Sequence, residues 1–313
     1  MTSTKVVILG TGGTIAGTAA RPDDAVGYSA AQLGIAHLVA AVPALQASDF
    51  ECEQVSQLDS KDMDVATWQR LAARAAHHLA RDNVAGVVVA HGTDTLEETA
   101  YLLHRVLAGD KPLVLTAAMR PATSIAADGP ANLLDAVTTA HDARARGVLV
   151  VMAGRVWAGA EVRKVHSYRV DAFDAGDAGA LALIEEGALR WLREAPRDEV
   201  LGLARIAREA AQWPRVEIVT SHAGASGALV DALLAQGVDG IVAAGTGNGT
   251  LHRDLEAALL RVQSAGVQVL RCTRCAAGPV IGQTLLRSAG TLSPVQARVE
   301  LLLQLLASSR PMA

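Results

Sequence analysis

Aromatic side chains and cysteines are scarce in this 313-residue chain, which has two Phe, three Tyr, four Trp and three Cys. Nine aromatics cannot build a base-stacking platform, and no Lys/Arg cluster offers a stripe along which a phosphate backbone could be tracked. The net charge of −4 argues the same way, so nucleic acid is not an expected partner. Long hydrophobic runs are also missing. Val84 to Ala90, with Gly86 inside, falls far short of the ~20 residues that span a bilayer. The N-terminal Val6-Val7-Ile8-Leu9 is shorter than the apolar region of about 7–15 residues that a signal peptide needs. These features predict a cytoplasmic protein without membrane association. An odd number of cysteines suits a reducing compartment, although Cys272-Thr-Arg-Cys275 is a C-x-x-C. Metal-ligand spacing is absent: there is no His-Glu-x-x-His, His77 and His78 are adjacent on one expected helix, and Cys272/Cys275 lack a second pair. No metal or cofactor is expected.

What is present describes a folded enzyme-sized chain. Half the residues are apolar and 19% are charged, which excludes a disordered polymer. At roughly 150 residues per domain the length predicts two domains, with ample surface to bury. With so few aromatics, the core volume must come from Ala, Leu, Val and Ile.

Short β-branched runs alternate with longer segments of helical period. Expected strands are Val6–Leu9, Glu51–Gln57, Gly86–Ala90, Leu113–Thr116, Val148–Met152, Glu217–Thr220, Gly240–Ala243 and Val267–Arg271. Between them, helices are expected around Ala30–Val42, Asp62–Ala80, Thr95–Ala108, Pro130–Arg146, Gly227–Gln236, Leu251–Gln263 and Pro294–Leu306. Strands that are apolar on both faces and separated by single helices predict mainly parallel sheets covered on each side. The charged, proline-containing stretch near Trp191–Pro214 predicts an α/β domain over 1–191, a linker over 192–214 and a second α/β domain over 215–313. Ligands in such sheets sit beyond the carboxyl ends of the strands, so those ends carry the search for a site.

The first strand end reads Gly10-Thr-Gly-Gly-Thr-Ile-Ala-Gly17. Both nucleotide fingerprints fail there, because a dinucleotide motif would need Gly at Ile15 and a P-loop would need Lys at Thr18. What remains is a tight turn presenting Thr11 and Thr14, explicable either as a bare structural turn or as a reactive edge. Thr18 to Gly27 lacks periodicity and predicts a mobile lid of about ten residues leading to Tyr28, a surface ring or a proton handler. At the second strand end, Asp59 and Ser60 fit a cap for the following helix. The third end, His91-Gly-Thr-Asp-Thr95, sets a hydroxyl and a carboxylate at a helix N-terminus that favours developing negative charge. Asp94 or Thr95 also fits a plain helix cap, and His91 a buried, hydrogen-bonded strand-end histidine. Lys164, by composition alone, is a solvated surface charge.

Taken together, Thr11-Gly-Gly-Thr-Ile-Ala-Gly17 and His91-Gly-Thr-Asp-Thr-Leu-Glu-Glu-Thr-Ala-Tyr101 closely resemble the two signature segments of bacterial-type L-asparaginases. The likeness continues through Ala118-Met-Arg-Pro121, Ala127-Asp-Gly-Pro130, Gly147–Met152, Gly247-Asn-Gly249 and Gly290-Thr-Leu292. The resemblance implies a two-domain α/β fold, with a larger N-terminal domain on a mainly parallel sheet and a smaller C-terminal α/β domain. It implies a homotetramer built from dimers, in which the smaller domain completes a neighbour's site. It further implies hydrolysis of L-asparagine to L-aspartate and ammonia through a threonine nucleophile and an acyl-enzyme, without a cofactor.

Carried over by position, Thr14 resembles the nucleophile and Tyr28 its partner, while Thr93, Asp94 and Lys164 resemble the second catalytic group. Gly13, Asp59, Ser60, Lys61, Asp94, Ala118 and Asn248 fall at substrate-binding positions. Three departures stand out: Lys61 replaces a usual Gln, Asp59 replaces a usual Gly, and Arg274–Ile281 replaces a longer segment that presents a glutamate to the neighbour's tyrosine. No acidic residue lies between Glu256 and Glu300. The alternatives are a mixed glutaminase-asparaginase, the amidotransferase subunit acting on tRNA-bound glutamate, and a non-catalytic amino-acid-binding protein on the same scaffold.

Overall fold

The computed structural model describes residues 4–24, 26–47, 49–107 and 109–308. The chain divides into two compact units, the first ending at Leu203 and the second beginning at Ala204.

In the first unit the strands are β1 (Lys5–Gly12), β2 (Thr18–Ala19), β3 (Tyr28–Ser29), β4 (Phe50–Leu58), β5 (Val84–Ala90), β6 (Leu113–Thr116), β7 (Val148–Met152), β8 (Arg155–Ala158), β9 (Arg163–Lys164), β10 (Phe173–Asp174), β11 (Ala182–Glu185) and β12 (Ala188–Trp191). Eight of them form one sheet in the order β4-β1-β5-β6-β7-β8-β11-β12. β4, β1, β5, β6 and β7 are parallel; the apolar residues of β1, β6 and β7 and those of β5 from Val87 onward are buried on both faces, as a covered parallel sheet requires, while the edge strand β4 is only half-buried. The helices are α1 (Ile35–Ala40), α2 (Val65–Leu79), α3 (Leu96–Val106) and α4 (Gly129–His141). α1 and α4 cover the face that Val6 and Ile8 present. α2 packs on β4 and β5, and α3 on β7.

The parallel order places the second strand in sequence on one side of β1 and the third, β5, on the other. Chain connections therefore leave β1 and β5 in opposite directions. That divergence opens a crevice at their carboxyl ends, where open α/β sheets bind ligands.

The sheet's other edge departs from the expected pattern of alternating strands and helices. β8, β11 and β12 are antiparallel additions. Two-residue hairpins at Ala153-Gly154 (φ 50° and 71°) and Glu186-Gly187 (φ 48° and 73°) join β7 to β8 and β11 to β12, while β11 adds to β8 after the longer connection that carries β9 and β10. Both central residues at positive φ make the turn type whose twist matches paired strands. The expected helix Ala30–Val42 is also shorter, because Ala31 sits at φ 56° and Gly34 occupies the N-cap of α1. α2 is capped by Asp64, which accepts the Thr67 N–H at 2.7 Å, while the expected cap Asp59 serves the 3-10 turn Ser60–Asp62, where its carboxylate accepts the Lys61 N–H. The loss of an Asp cap costs typically about 1 kcal/mol.

The second unit holds a parallel sheet of β13 (Val216–Thr220), β14 (Gly240–Gly245), β15 (Gln268–Thr273) and β16 (Arg287–Ser288), in that order. α5 (Ala228–Ala235) and α6 (Arg253–Ser264) cover one face and α7 (Pro294–Ser308) the other. The architecture is thus a larger, mainly parallel α/β unit followed by a smaller α/β unit.

Candidate active site

The crevice beyond β1 and β5 is closed by glycine. A Cβ on Gly13 would overlap the Gly92 Cα, and one on Gly92 would overlap the Ser60 hydroxyl. Gly13 also lies at φ 81°, a conformation that L side chains rarely adopt. This backbone contact brings the residues that follow the two glycines, Thr14 and Thr93, to one place in the fold. Both threonines are buried.

Thr14 opens a short 3-10 turn, Thr14–Ala16, and its Oγ1 lies 2.7 Å from the Tyr28 hydroxyl. Tyr28 arrives on β3, which pairs with β2 as a small hairpin in the expected lid region. Gly17 lets the ring in, since a Cβ there would stand 2.9 Å from the tyrosine Cδ2. The hairpin is tied down at two points: Ala19 N–H donates to Thr123 Oγ1 at 2.8 Å, and Ile125 N–H to the Pro22 carbonyl at 3.0 Å.

A second cluster forms around Lys164 on β9. Its Nζ donates to Thr93 Oγ1 at 2.9 Å and to Asp94 Oδ1 at 2.6 Å. Sequence composition made this lysine an ordinary surface charge, yet its side chain is only 20% exposed. Its own backbone N–H donates to Glu97 Oε2 at 2.6 Å. Burial pushes the Glu97 carboxyl up to about 7 against the opposing pull of that hydrogen bond. Glu97 is the residue that sequence reasoning missed. Its signal was available, as an acidic residue on the first turn of α3 within the second signature segment.

Ser60 joins the two strand ends. Its Oγ accepts the Asp94 N–H at 3.1 Å, and its carbonyl accepts the Thr95 hydroxyl at 2.7 Å. Thr95 is the N-cap of α3 but makes no side-chain cap bond, so the expected capping role is replaced by this cross-link. The Asp94 N–H at this helix start is occupied by Ser60. Among the described residues the Thr93 N–H meets no acceptor. Ala118 lies buried after β6, beside a loop braced by Asp128, whose carboxylate accepts the Met119 and Arg120 N–H groups at 3.0 Å each.

His91 is a supporting residue. Its Nδ1–H donates to the Gly92 carbonyl at 2.6 Å, and its Nε2 meets Thr99 Oγ1 at 3.1 Å, which in turn accepts Trp68 Nε1–H at 2.9 Å. Complete burial pulls its pKa down to about 4, so it stays neutral. Asp59 and Lys61 are engaged with one another, with Lys61 Nζ 2.7 Å from Asp59 Oδ2 and 3.1 Å from Asp62 Oδ2. Asn248 belongs to the second unit. Its Nδ2 donates to the Ile281 carbonyl at 2.8 Å, and its Oδ1 accepts the Ile281 N–H at 2.7 Å, fixing the end of the Arg274–Ile281 segment. Among the described residues no group of three His, Cys, Asp or Glu side chains is placed to hold a metal ion. No described helix is long and apolar enough to cross a membrane.

Family models match both units: "Asparaginase, N-terminal" over residues 5–197 and "Glutaminase/Asparaginase C-terminal domain" over 215–312. The chain belongs to the asparaginase family. It is 38% identical to L-asparaginase 2 of Escherichia coli, over 98% of this chain and 90% of that one. It is also 38% identical to the glutaminase-asparaginase of Pseudomonas fluorescens, over 87% and 76% respectively. A crystal structure of a probable cytoplasmic L-asparaginase from Campylobacter jejuni superposes with a TM-score of 0.90 at 36% identity, covering 98% of this chain and 96% of that one. A Haemophilus influenzae relative, 34% identical over 98% of this chain and 90% of its own, is named as a probable periplasmic L-asparaginase. Both asparaginase domains are thus present in their family order.

Proposed function

We propose that this asparaginase-family chain hydrolyses L-asparagine to L-aspartate and ammonia through an acyl-enzyme on Thr14. The observation that carries the reading is the pairing of two activated hydroxyls in one crevice, Thr14 against Tyr28 and Thr93 against Lys164.

An amide carbonyl is a poor electrophile and a threonine hydroxyl a weak nucleophile, so the reaction gains from two steps and a nearby base. In the first step Thr14 Oγ1 bonds to the side-chain carboxamide carbon while Tyr28 takes its proton, or Lys164 takes it through Thr93 when its side chain is the neutral amine. The amide nitrogen leaves as ammonia after gaining a proton. Proton transfer of this kind contributes typically about 10²–10⁴-fold. The Thr93 N–H is placed at the strand end to meet the developing oxyanion, a donor worth about 3–4 kcal/mol in acyl-transfer sites. In the second step Thr93, linked to Lys164, activates the water that releases aspartate.

The substrate's charged ends have partners. Asp94 keeps Oδ2 for an ammonium while Oδ1 is held by Lys164. Ser60 accepts through its oxygen and retains its hydroxyl proton for a carboxylate. Gly13 precedes Thr14, Asp59 and Lys61 flank Ser60, and Ala118 follows β6; these complete the set we assign to substrate binding.

We further propose a cytoplasmic homotetramer built from dimers, with Asn248 in the smaller domain reaching a neighbour's site. The cytoplasmic relative of known structure supports the location. Light scattering on the purified protein tests the assembly.

The test of function is ammonia release from L-asparagine and from L-glutamine, measured side by side. Preference for asparagine supports the reading, and equal turnover would make the chain a glutaminase-asparaginase. Saturable binding without ammonia release would overturn it.

A further inference from the structure

One short segment holds both ends of one residue. Thr93 and Asp94 take the Lys164 ammonium, while Glu97, one turn further on, takes the Lys164 backbone N–H at 2.6 Å. The lysine is thereby clamped between the strand-end loop and the first turn of α3. Among the described residues β9, which carries it, spans two residues and pairs with β10. Such a short ladder does little to hold a lysine by itself. The clamp is therefore what fixes the distance from the ammonium to Thr93.

We propose that Glu97 is a proton-controlled positioning residue: ionised, it anchors Lys164 against α3 and so sets the Lys164–Thr93 hydrogen bond on which turnover depends. The inference rests on the amidase reading given above. A carboxylate accepts an N–H more strongly than a neutral carboxylic acid, because charge-assisted hydrogen bonds are roughly twice as strong. The charges acting on Glu97 are Glu98 on its own helix, which opposes ionisation, and Arg163 and Lys164 on β9, which favour it. Burial outweighs these and places its titration at about 7, within the working range of an enzyme. Protonation at lower pH then loosens the lysine without removing it, and turnover falls while substrate binding persists.

The chain has just four lysines, Lys5, Lys61, Lys111 and Lys164, so selective [¹⁵N]lysine labelling gives at most four amide signals. The Lys164 signal is assigned by its loss in Lys164→Arg. Wild type, Glu97→Gln and Glu97→Leu are then compared by amide titration and by kcat and KM for L-asparagine across the pH range.

The wild-type Lys164 amide is expected to shift with a midpoint near neutrality, and kcat to rise through the same midpoint. In Glu97→Gln, whose amide oxygen still accepts the N–H, both transitions disappear and KM changes by less than about threefold. Glu97→Leu removes the acceptor and lowers kcat by about 100-fold, the scale of a slight misplacement of a catalytic group. A Glu97→Gln enzyme that keeps both transitions would overturn the proposal, as would undiminished kcat in Glu97→Leu. An inactive wild type with a titrating Lys164 amide removes the amidase reading and leaves the anchor standing. An active wild type with a non-titrating amide does the reverse.

Discussion

Gly13 and Gly92 meet backbone to backbone at the carboxyl ends of the first and third parallel strands, with no room for a side chain on either. Gly13 is at φ 81°, so Gly13→Ala carries strain as well as overlap. With ψ at −170° the residue sits in a region essentially reserved for glycine, and such strain costs an alanine about 1–3 kcal/mol. We expect at least that loss of stability on denaturant unfolding, together with a large fall in kcat as Thr14 and Thr93 are pushed apart. An alanine variant of wild-type stability and rate would show that the contact does not set the site.

Tyr28→Phe keeps the ring over Gly17 and removes only the hydroxyl that lies 2.7 Å from Thr14. Because Tyr28 is half-buried on a hairpin anchored elsewhere, stability is expected to change by less than about 1 kcal/mol. Turnover should drop by about 10²–10⁴-fold, the range for loss of a proton-transfer partner. Steady-state kinetics and a thermal melt on the same preparation separate the two effects. A smaller loss of rate would assign the proton to Lys164 through Thr93.

His91 gives the fold a predictable acid limit. Its pKa is about 4 in the folded protein against an ordinary 6.5, so the neutral form is the one the core accepts. The stability this supplies is complete above pH 6.5 and is lost as pH falls from there to about 4. A lowering of this size corresponds to on the order of 3 kcal/mol. Denaturant unfolding at a series of pH values should show this loss in wild type and a flatter profile in His91→Gln. Parallel profiles would mean that other groups set the acid limit.

Glu97 works in the opposite sense. A carboxyl raised to about 7 penalises its ionised form, so its contribution to stability is greatest at low pH and declines from its unfolded value of 4.5 up to 7. Glu97→Gln should therefore be relatively more stable than wild type at pH 8 than at pH 5, even where it alters the rate profile. Paired melts at the two pH values check the sign, and a reversed order would contradict it.

Much of this was legible in the sequence because parallel strands announce themselves. Val6–Leu9, Leu113–Thr116 and Val148–Met152 are apolar on both faces and bounded by glycine or turn residues, so position and burial follow from the same pattern. The antiparallel edge was not legible. β8 and β12 follow Ala-Gly and Glu-Gly turns, which lack the Asn-Gly or Asp-Gly signal, and the residues of β8, β11 and β12 alternate too briefly to stand out. Thr14 and Thr93 were found through their glycine-rich strand ends. Lys164 emerged from family resemblance alone, since nothing local distinguishes it from a surface lysine, and its burial depends on contacts some seventy residues away. Glu97 escaped because its partner is a backbone N–H, a contact that leaves no trace in residue type. The mutual pairing of Asp59 and Lys61 was equally hidden, since sequence shows two substitutions and only geometry shows that they neutralise each other.

The most direct test is ammonia release from L-asparagine by the wild-type enzyme and by Thr14→Ala under identical conditions. We expect wild type to produce ammonia and aspartate in equal amounts, and Thr14→Ala to lose at least about 10²-fold in kcat while remaining folded, since the nucleophile is gone. Undiminished ammonia release by Thr14→Ala would contradict the assignment of Thr14 and with it the mechanism built on this crevice.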